Sequence, residues 1–174
     1  MIYKFRMISG DEDNFLRDYE IESDKTFLDF HNLIQSDLGF EPSMLASFFL
    51  ADEHWNKGME LTLIDMQSDG AMAAIPMETV KLKELVKERR ERLLYVYDIF
   101  SDRSLFLELI DMFEPKENEK YPKCSASLGE PPAQFSDDYG DVDGSDSGNE
   151  IKNLFNDFEE GLDSEDFSDD ERDF

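Results

Sequence analysis

Positive charge is scarce in this chain: 17 Lys and Arg stand against 43 Asp and Glu, a formal net charge of −26. Each phosphate contact needs a cation, so free nucleic acid and anionic membranes are poor partners, whereas a basic protein is a natural complement. Cysteine is almost absent. The lone Cys124 excludes an intrachain disulfide and a Cys-rich zinc site, and it reads as a small, buried or half-buried side chain. Histidine is limited to His31 and His54, which fall in different elements and lack the spacing by which two imidazoles share a metal on one helix face. No phosphate-binding loop, G-x-G-x-x-G or G-x-S-x-G occurs. Catalysis needs a nucleophile held against a base, or a metal held by several ligands. With neither pattern present, the expectation is a non-enzymatic protein without a cofactor. No apolar run approaches the about 18 residues of a membrane span. The first residues, MIYKFRMISGDED, lack the apolar core of a secretion signal, so the cytoplasm is the expected location.

What the chain has in quantity is phenylalanine, 15 residues of 174, together with an abrupt change of composition near Pro132. Residues 1–132 mix apolar runs with charge and are long enough for one hydrophobic core. Residues 133–174 hold 16 Asp and Glu against Lys152 and Arg172. Such a segment repels itself and buries little, so the division predicts one folded domain and an acidic, largely disordered tail.

Within the domain, residues 2–8 alternate as a strand, 11–14 form a turn, and 15–22 return as a second strand. The clearest helix follows. Thr26 is a natural N-cap with Asp29 three residues on, and Gly39 is a natural stop. Phe27, Phe30, Leu33, Ile34 and Leu38 make its apolar stripe. Residues 45–51 and 59–66 read as strands, 67–77 as a loop, and 80–89 as a short helix. Residues 93–99 and 104–112 flank Ser101-Asp102-Arg103 as a hairpin. Pro115, Pro122, Pro131 and Pro132 mark an extended closing segment. The sequence therefore predicts an α+β fold, a mostly antiparallel sheet with one main packed helix and a strand-strand-helix-strand start.

Two groups of residues stand out as sites. The hairpin offers Tyr95, Tyr97, Asp98 and Asp102, with the aromatic-imidazole pair His54-Trp55 as a neighbour; together they make a candidate small-ligand or metal-assisted site. In the tail, Ile151, Leu154, Phe155, Phe158 and Leu162 recur at helical spacing over residues 150–162, as in motifs that fold on a protein partner. A third possibility is that the acidic tail imitates DNA and competes for a basic surface. The run from Asp141 to Asp146 resembles a calcium loop, but Asp146 stands where the template needs Gly and Lys152 where it needs Glu. Lys81, Lys83, Lys87, Arg89, Arg90 and Arg92 make a local basic stretch, which an acidic segment would screen.

Three separated stretches resemble the small family named after an open reading frame of plasmid pRiA4b, whose members are often labelled insertion-element passengers or "TnpR". They are residues 26–35 running on to Leu38-Gly39-Phe40; Leu94-Tyr95-Val96-Tyr97-Asp98; and Tyr121-Pro122-Lys123-Cys124 with Gly129-Glu130-Pro131-Pro132. The resemblance implies an α+β domain over residues 1–134, a bacterial cytoplasmic setting and no established activity. The chain departs from the family pattern after Asp98, where Ile99-Phe100-Ser101-Asp102 lacks its glycine, and after Pro132, where Ala133-Gln134 replaces carboxylates. The resolvase label fails on the residues. The gaps from Tyr3 to Arg6 and from Arg6 to Ser9 are each one residue too long for the resolvase pattern, and a strand turns Arg6 and Ser9 to opposite faces.

Overall fold

In the computed structural model, residues 1–64 and 74–135 are described. The acidic stripe Ile151, Leu154, Phe155, Phe158 and Leu162 lies outside the described residues, as do the Asp141–Asp146 run and most of the predicted tail.

An eight-stranded sheet is packed on one face by a single substantial helix. The strands are β1 (Ile2–Ser9), β2 (Leu16–Glu22), β3 (Ser47–Ala51), β4 (Lys57–Thr62), β5 (Ile75–Pro76), β6 (Arg92–Asp98), β7 (Arg103–Phe113) and β8 (Lys123–Leu128). Their spatial order is β5-β4-β3-β6-β7-β1-β2-β8, antiparallel throughout except where β5 joins β4. The α+β prediction with its mostly antiparallel sheet describes this architecture.

Helix α1 (Phe27–Leu38) starts and stops for the reasons visible in its sequence. The Asp29 N–H donates to Thr26 Oγ1 at 3.1 Å, and Asp29 Oδ2 accepts from the Thr26 N–H at 2.9 Å. Gly39 takes φ +66°, a conformation that costs a side chain energy and glycine nothing. The buried face carries Phe27, Phe30, Ile34 and Leu38, joined by His31 and Gln35. Phe30 is the hub of the core: its ring lies 4.8 Å from Phe5, 5.5 Å from Phe48 and 6.1 Å from Tyr19. Offset and edge-on aromatic contacts of this kind add about 0.5–1.5 kcal/mol each beyond burial.

The opposite face of the sheet is not apolar throughout. Strand register places Arg92 beside Glu108, Glu108 beside Arg6, and Arg6 beside Asp18. Arg6 grips Asp18 through two hydrogen bonds of 2.9 Å, and Arg92 Nε donates to Glu108 Oε2 at 3.0 Å. Lys4 adds ion pairs to Asp18 and Glu20. Opposite charges directly across antiparallel strands fix register, since a slip of one residue would place each charge against an apolar neighbour.

Three expectations need correction. The helix predicted over 80–89 is only α2 (Leu82–Leu85), because Val86 turns to φ −112°, ψ 116°. Arg90 N–H then donates to Leu109 O, and Leu109 N–H donates to Glu91 O, so the chain is taken up beside β7 instead of coiling on. The loop expected over 67–77 contains β5 and a one-turn 3-10 helix, Met77–Thr79, whose Met77 is fully buried. The closing segment contains an edge strand, β8, paired to β2. Three of the six cations of the basic stretch have acidic partners: Lys83 pairs with Asp24, Arg89 with Asp111 and Arg92 with Glu108.

Candidate functional site: a cleft at the β6–β7 turn

At one end of the sheet, three loops converge around a cleft of about 430 Å³. The turn leaving β6 supplies Tyr97, Asp98, Ile99, Phe100 and Ser101. The connection from α1 to β3 supplies Ser43, Met44 and Leu45, and the closing segment supplies Gln134 and Phe135.

Each loop is held in place by identifiable contacts. Asp98 Oδ1 accepts the Ser101 N–H at 3.2 Å, an Asx turn that carries the chain round to Asp102, whose φ is +51°. Asp102 pairs with Lys57 on β4, which ties the turn to a strand on the far side of β3. Gln134 behaves like a short strand partner: its Oε1 accepts the Glu41 N–H and its Nε2 donates to Glu41 O at 3.2 Å. Arg103 donates to Ala133 O at 2.7 Å and lies 3.7 Å from Asp11. The closing segment is thus fastened on both sides, and the folded body extends past the boundary expected at residue 132.

The surfaces of the cleft are chemically mixed. Its rim is apolar and exposed, with Leu45 and Ile99 each nearly half exposed, Phe135 56% and Phe100 88% exposed. Hydrophobic side chains this open, gathered at one place, mark a contact surface more often than a stability feature. Tyr97 is 1% exposed and packs its ring 5.3 Å from Phe40. Its hydroxyl is buried, and the Arg103 guanidinium lies beside it, 5.0 Å from the ring centroid. Burial pushes the Tyr97 phenol up to about 12, against the opposing charge of Arg103, so the group is a neutral O–H at physiological pH.

Of the six hairpin candidates, the structure brings Tyr97 and Asp98 to this cleft and places the other four elsewhere. Tyr95 points into the core, where its hydroxyl meets Gln35 Nε2 at 2.6 Å and His31 Nδ1 at 2.8 Å. Asp102 faces Lys57. His54 and Trp55 sit in the β3–β4 turn, and the register explains the separation: Ser47 pairs with Val96 near the cleft, whereas Ala51 pairs with Arg92 at the far end. His54 is largely exposed beside Glu53. Trp55, at φ +64°, lies under the Arg92 guanidinium at 4.8 Å and edge-on to Phe106. Arg6 is occupied by Asp18, and Ser9 Oγ accepts the N–H groups of Asp11 and Glu12, so neither is arranged as catalytic machinery. Among the described residues no group of three or more His, Cys, Asp or Glu side chains is placed to hold a metal.

Sequence reasoning missed Ser43, Met44, Leu45, Ile99, Phe100, Ser101, Gln134 and Phe135. The available signal was the pair of departures from the family pattern: Ile99 to Ser101 and Gln134 both line the cleft.

Among solved structures, the chain is similar to a protein of unknown function from Methanosarcina mazei Go1, with 22% identity and a TM-score of 0.59. The match covers 72% of this chain and 68% of the other, and it carries the fold. No curated protein matches the sequence. Among the described residues, no helix is long and apolar enough to cross a membrane. The sequence profile of the plasmid pRiA4b ORF-3-like proteins matches residues 2–162, a span that runs past the 1–134 covered by the resemblance and takes in the stripe from Ile151 to Leu162. The motifs around α1, β6 and the closing segment therefore have a common origin, and the chain belongs to the plasmid pRiA4b ORF-3-like protein family.

Proposed function

We propose that the protein is a non-catalytic interaction module that binds another protein through the cleft at the β6–β7 turn. The observation that carries this reading is the exposure of Phe100 and Phe135 beside an enclosed floor. A buried aromatic anchor surrounded by a rim that excludes water is the arrangement that concentrates binding energy in protein interfaces. An overall charge of −26 favours a basic partner and speeds its encounter by long-range attraction. The apolar stripe Ile151, Leu154, Phe155, Phe158 and Leu162 supplies a second contact in this scheme, by the helix-in-groove mode of recognition. A cytoplasmic place within a mobile-element or nucleic-acid-handling assembly is the setting that the family resemblance suggests.

Affinity capture by the full-length chain, with partners identified by mass spectrometry, tests the proposal. Phe100→Asp, a substitution on an exposed turn, removes the specific partner if the cleft is the site. Phe155→Asp together with Phe158→Asp weakens the same partner if the stripe contributes. A partner set unchanged by Phe100→Asp rules the cleft out.

A further inference from the structure

Resting on that reading, we propose that the cleft is an arginine-recognition site: it takes the guanidinium side chain of a basic segment in the partner protein.

Several independent features converge on this ligand. Arginine combines an apolar stem with a flat cation, and the cleft offers one surface for each. Met44, Leu45 and Ile99 can line the methylene stem, while Phe100 and Phe135 present exposed rings on which a guanidinium stacks. At the turn, Asp98 uses Oδ1 to accept the Ser101 N–H, and Oδ2 accepts no hydrogen bond from the described residues. A carboxylate with a free oxygen at an apolar cleft is a natural acceptor for a charge-assisted bond.

Arg103, the cation nearest to Tyr97, is already engaged by Asp11 and the Ala133 carbonyl and lies over the Tyr97 ring. The choice of arginine over lysine follows from donor geometry. A guanidinium donates to the open Asp98 oxygen along one edge while its plane lies flat on the Phe100 or Phe135 ring, whereas an ammonium is a compact point charge. The acidic 136–174 segment is an unsuitable occupant on charge, since Lys152 and Arg172 are its only cations.

The test uses the full-length protein and a short fluorescein-labelled peptide alternating arginine with leucine, read by fluorescence anisotropy. Matched peptides carry lysine or citrulline at the arginine positions. The arginine peptide is expected to bind at least tenfold tighter than the citrulline peptide and several-fold tighter than the lysine peptide. Asp98→Asn lowers its affinity about tenfold. Phe135→Ala lowers it several-fold without altering net charge, which general attraction to an acidic protein would not do. Phe100→Ala, on an exposed turn, weakens all three peptides. Equal binding of arginine and citrulline peptides, with dependence on Phe100 retained, overturns arginine recognition and leaves the protein-binding cleft standing. Arginine binding indifferent to Asp98→Asn, Phe135→Ala and Phe100→Ala, or no binding at all, overturns the arginine site. If partner capture also survives Phe100→Asp, the cleft itself falls with it.

Discussion

His31 Nδ1 lies 2.8 Å from the hydroxyl of Tyr95, a contact that joins α1 to β6 through the middle of the core. Gln35 Nε2 donates to the same hydroxyl at 2.6 Å. A neutral imidazole protonated at Nε2 accepts the Tyr95 hydroxyl proton at Nδ1. Burial gives the same answer, holding the His31 pKa down to about 4 from the ordinary 6.5.

The consequence is a stability that depends on pH. Between pH 6.5 and about 4 the unfolded chain binds a proton at His31 that the folded chain refuses, so stability falls as pH falls through that window. At about 1.4 kcal/mol per pH unit, the loss from this one group approaches about 3 kcal/mol. The stability is complete above pH 6.5. Urea unfolding at a series of pH values measures the effect, and His31→Asn flattens the profile across the window. A wild-type slope identical to that of the variant contradicts the neutral, buried imidazole.

Asp18 is the point at which the ionic row on the opposite face is most easily broken. It is 2% exposed, bonded twice by Arg6 and approached by Lys4. Asp18→Ala leaves Arg6 buried and unpaired, a loss of about 3–5 kcal/mol by chemical denaturation. Replacing both partners, Arg6→Met with Asp18→Leu, costs much less, because no uncompensated charge remains. Comparable losses for the single and double variants would locate the effect in packing and not in charge.

How much of this arrangement is legible in the sequence depends on how local its causes are. Helix α1 is legible because Thr26, Asp29 and Gly39 set its ends within a few residues of one another. The β6–β7 hairpin is legible for the same reason. The segment 80–89 misleads because Leu82, Leu85, Val86 and Arg89 share a helical face, yet the pairing of Arg90 and Glu91 with Leu109 draws the chain out. Strand β8, KCSASL, has little intrinsic strand character and exists through its long-range pairing with β2. The cleft follows the same rule. Tyr97 and Asp98 belong to a readable hairpin, but Ser43, Met44, Leu45 and Gln134 reach them only through tertiary folding. His54 and Trp55 look like a ligand pair in the chain and sit at the wrong end of β3.

Cys124 is expected to be a poor nucleophile. Burial raises its thiol to about 11, and the nearby Asp37 carboxylate adds to the rise while Arg17 opposes it. Two units above the ordinary value leaves about a hundredfold less thiolate at neutral pH. Alkylation by iodoacetamide, followed by mass spectrometry, should be slow in the folded protein and rapid in urea. Fast labelling of the folded state would require a thiolate that the Asp37 side of the pocket disfavours.

Gly129 connects the edge of the sheet to the cleft. It takes φ +70°, and a side chain there would place its Cβ 2.2 Å from the Asn14 carbonyl oxygen. Both atoms of that collision belong to backbone-fixed positions, so no rotamer change relieves it. The tight approach seats the end of β8 against the β1–β2 turn, where Arg17 also donates to Leu128 O at 2.8 Å. Gly129→Ala combines the left-handed penalty with the clash, a loss of about 2 kcal/mol or more. The residues displaced lead directly to Ala133 and Gln134, which close the cleft by bonding Arg103 and Glu41. The variant should therefore lose peptide binding under conditions where it remains folded, with hydrogen exchange rising in β8 before it rises in β6 and β7. If exchange increases uniformly across the sheet, Gly129 supports the whole fold and its link to the cleft is indirect.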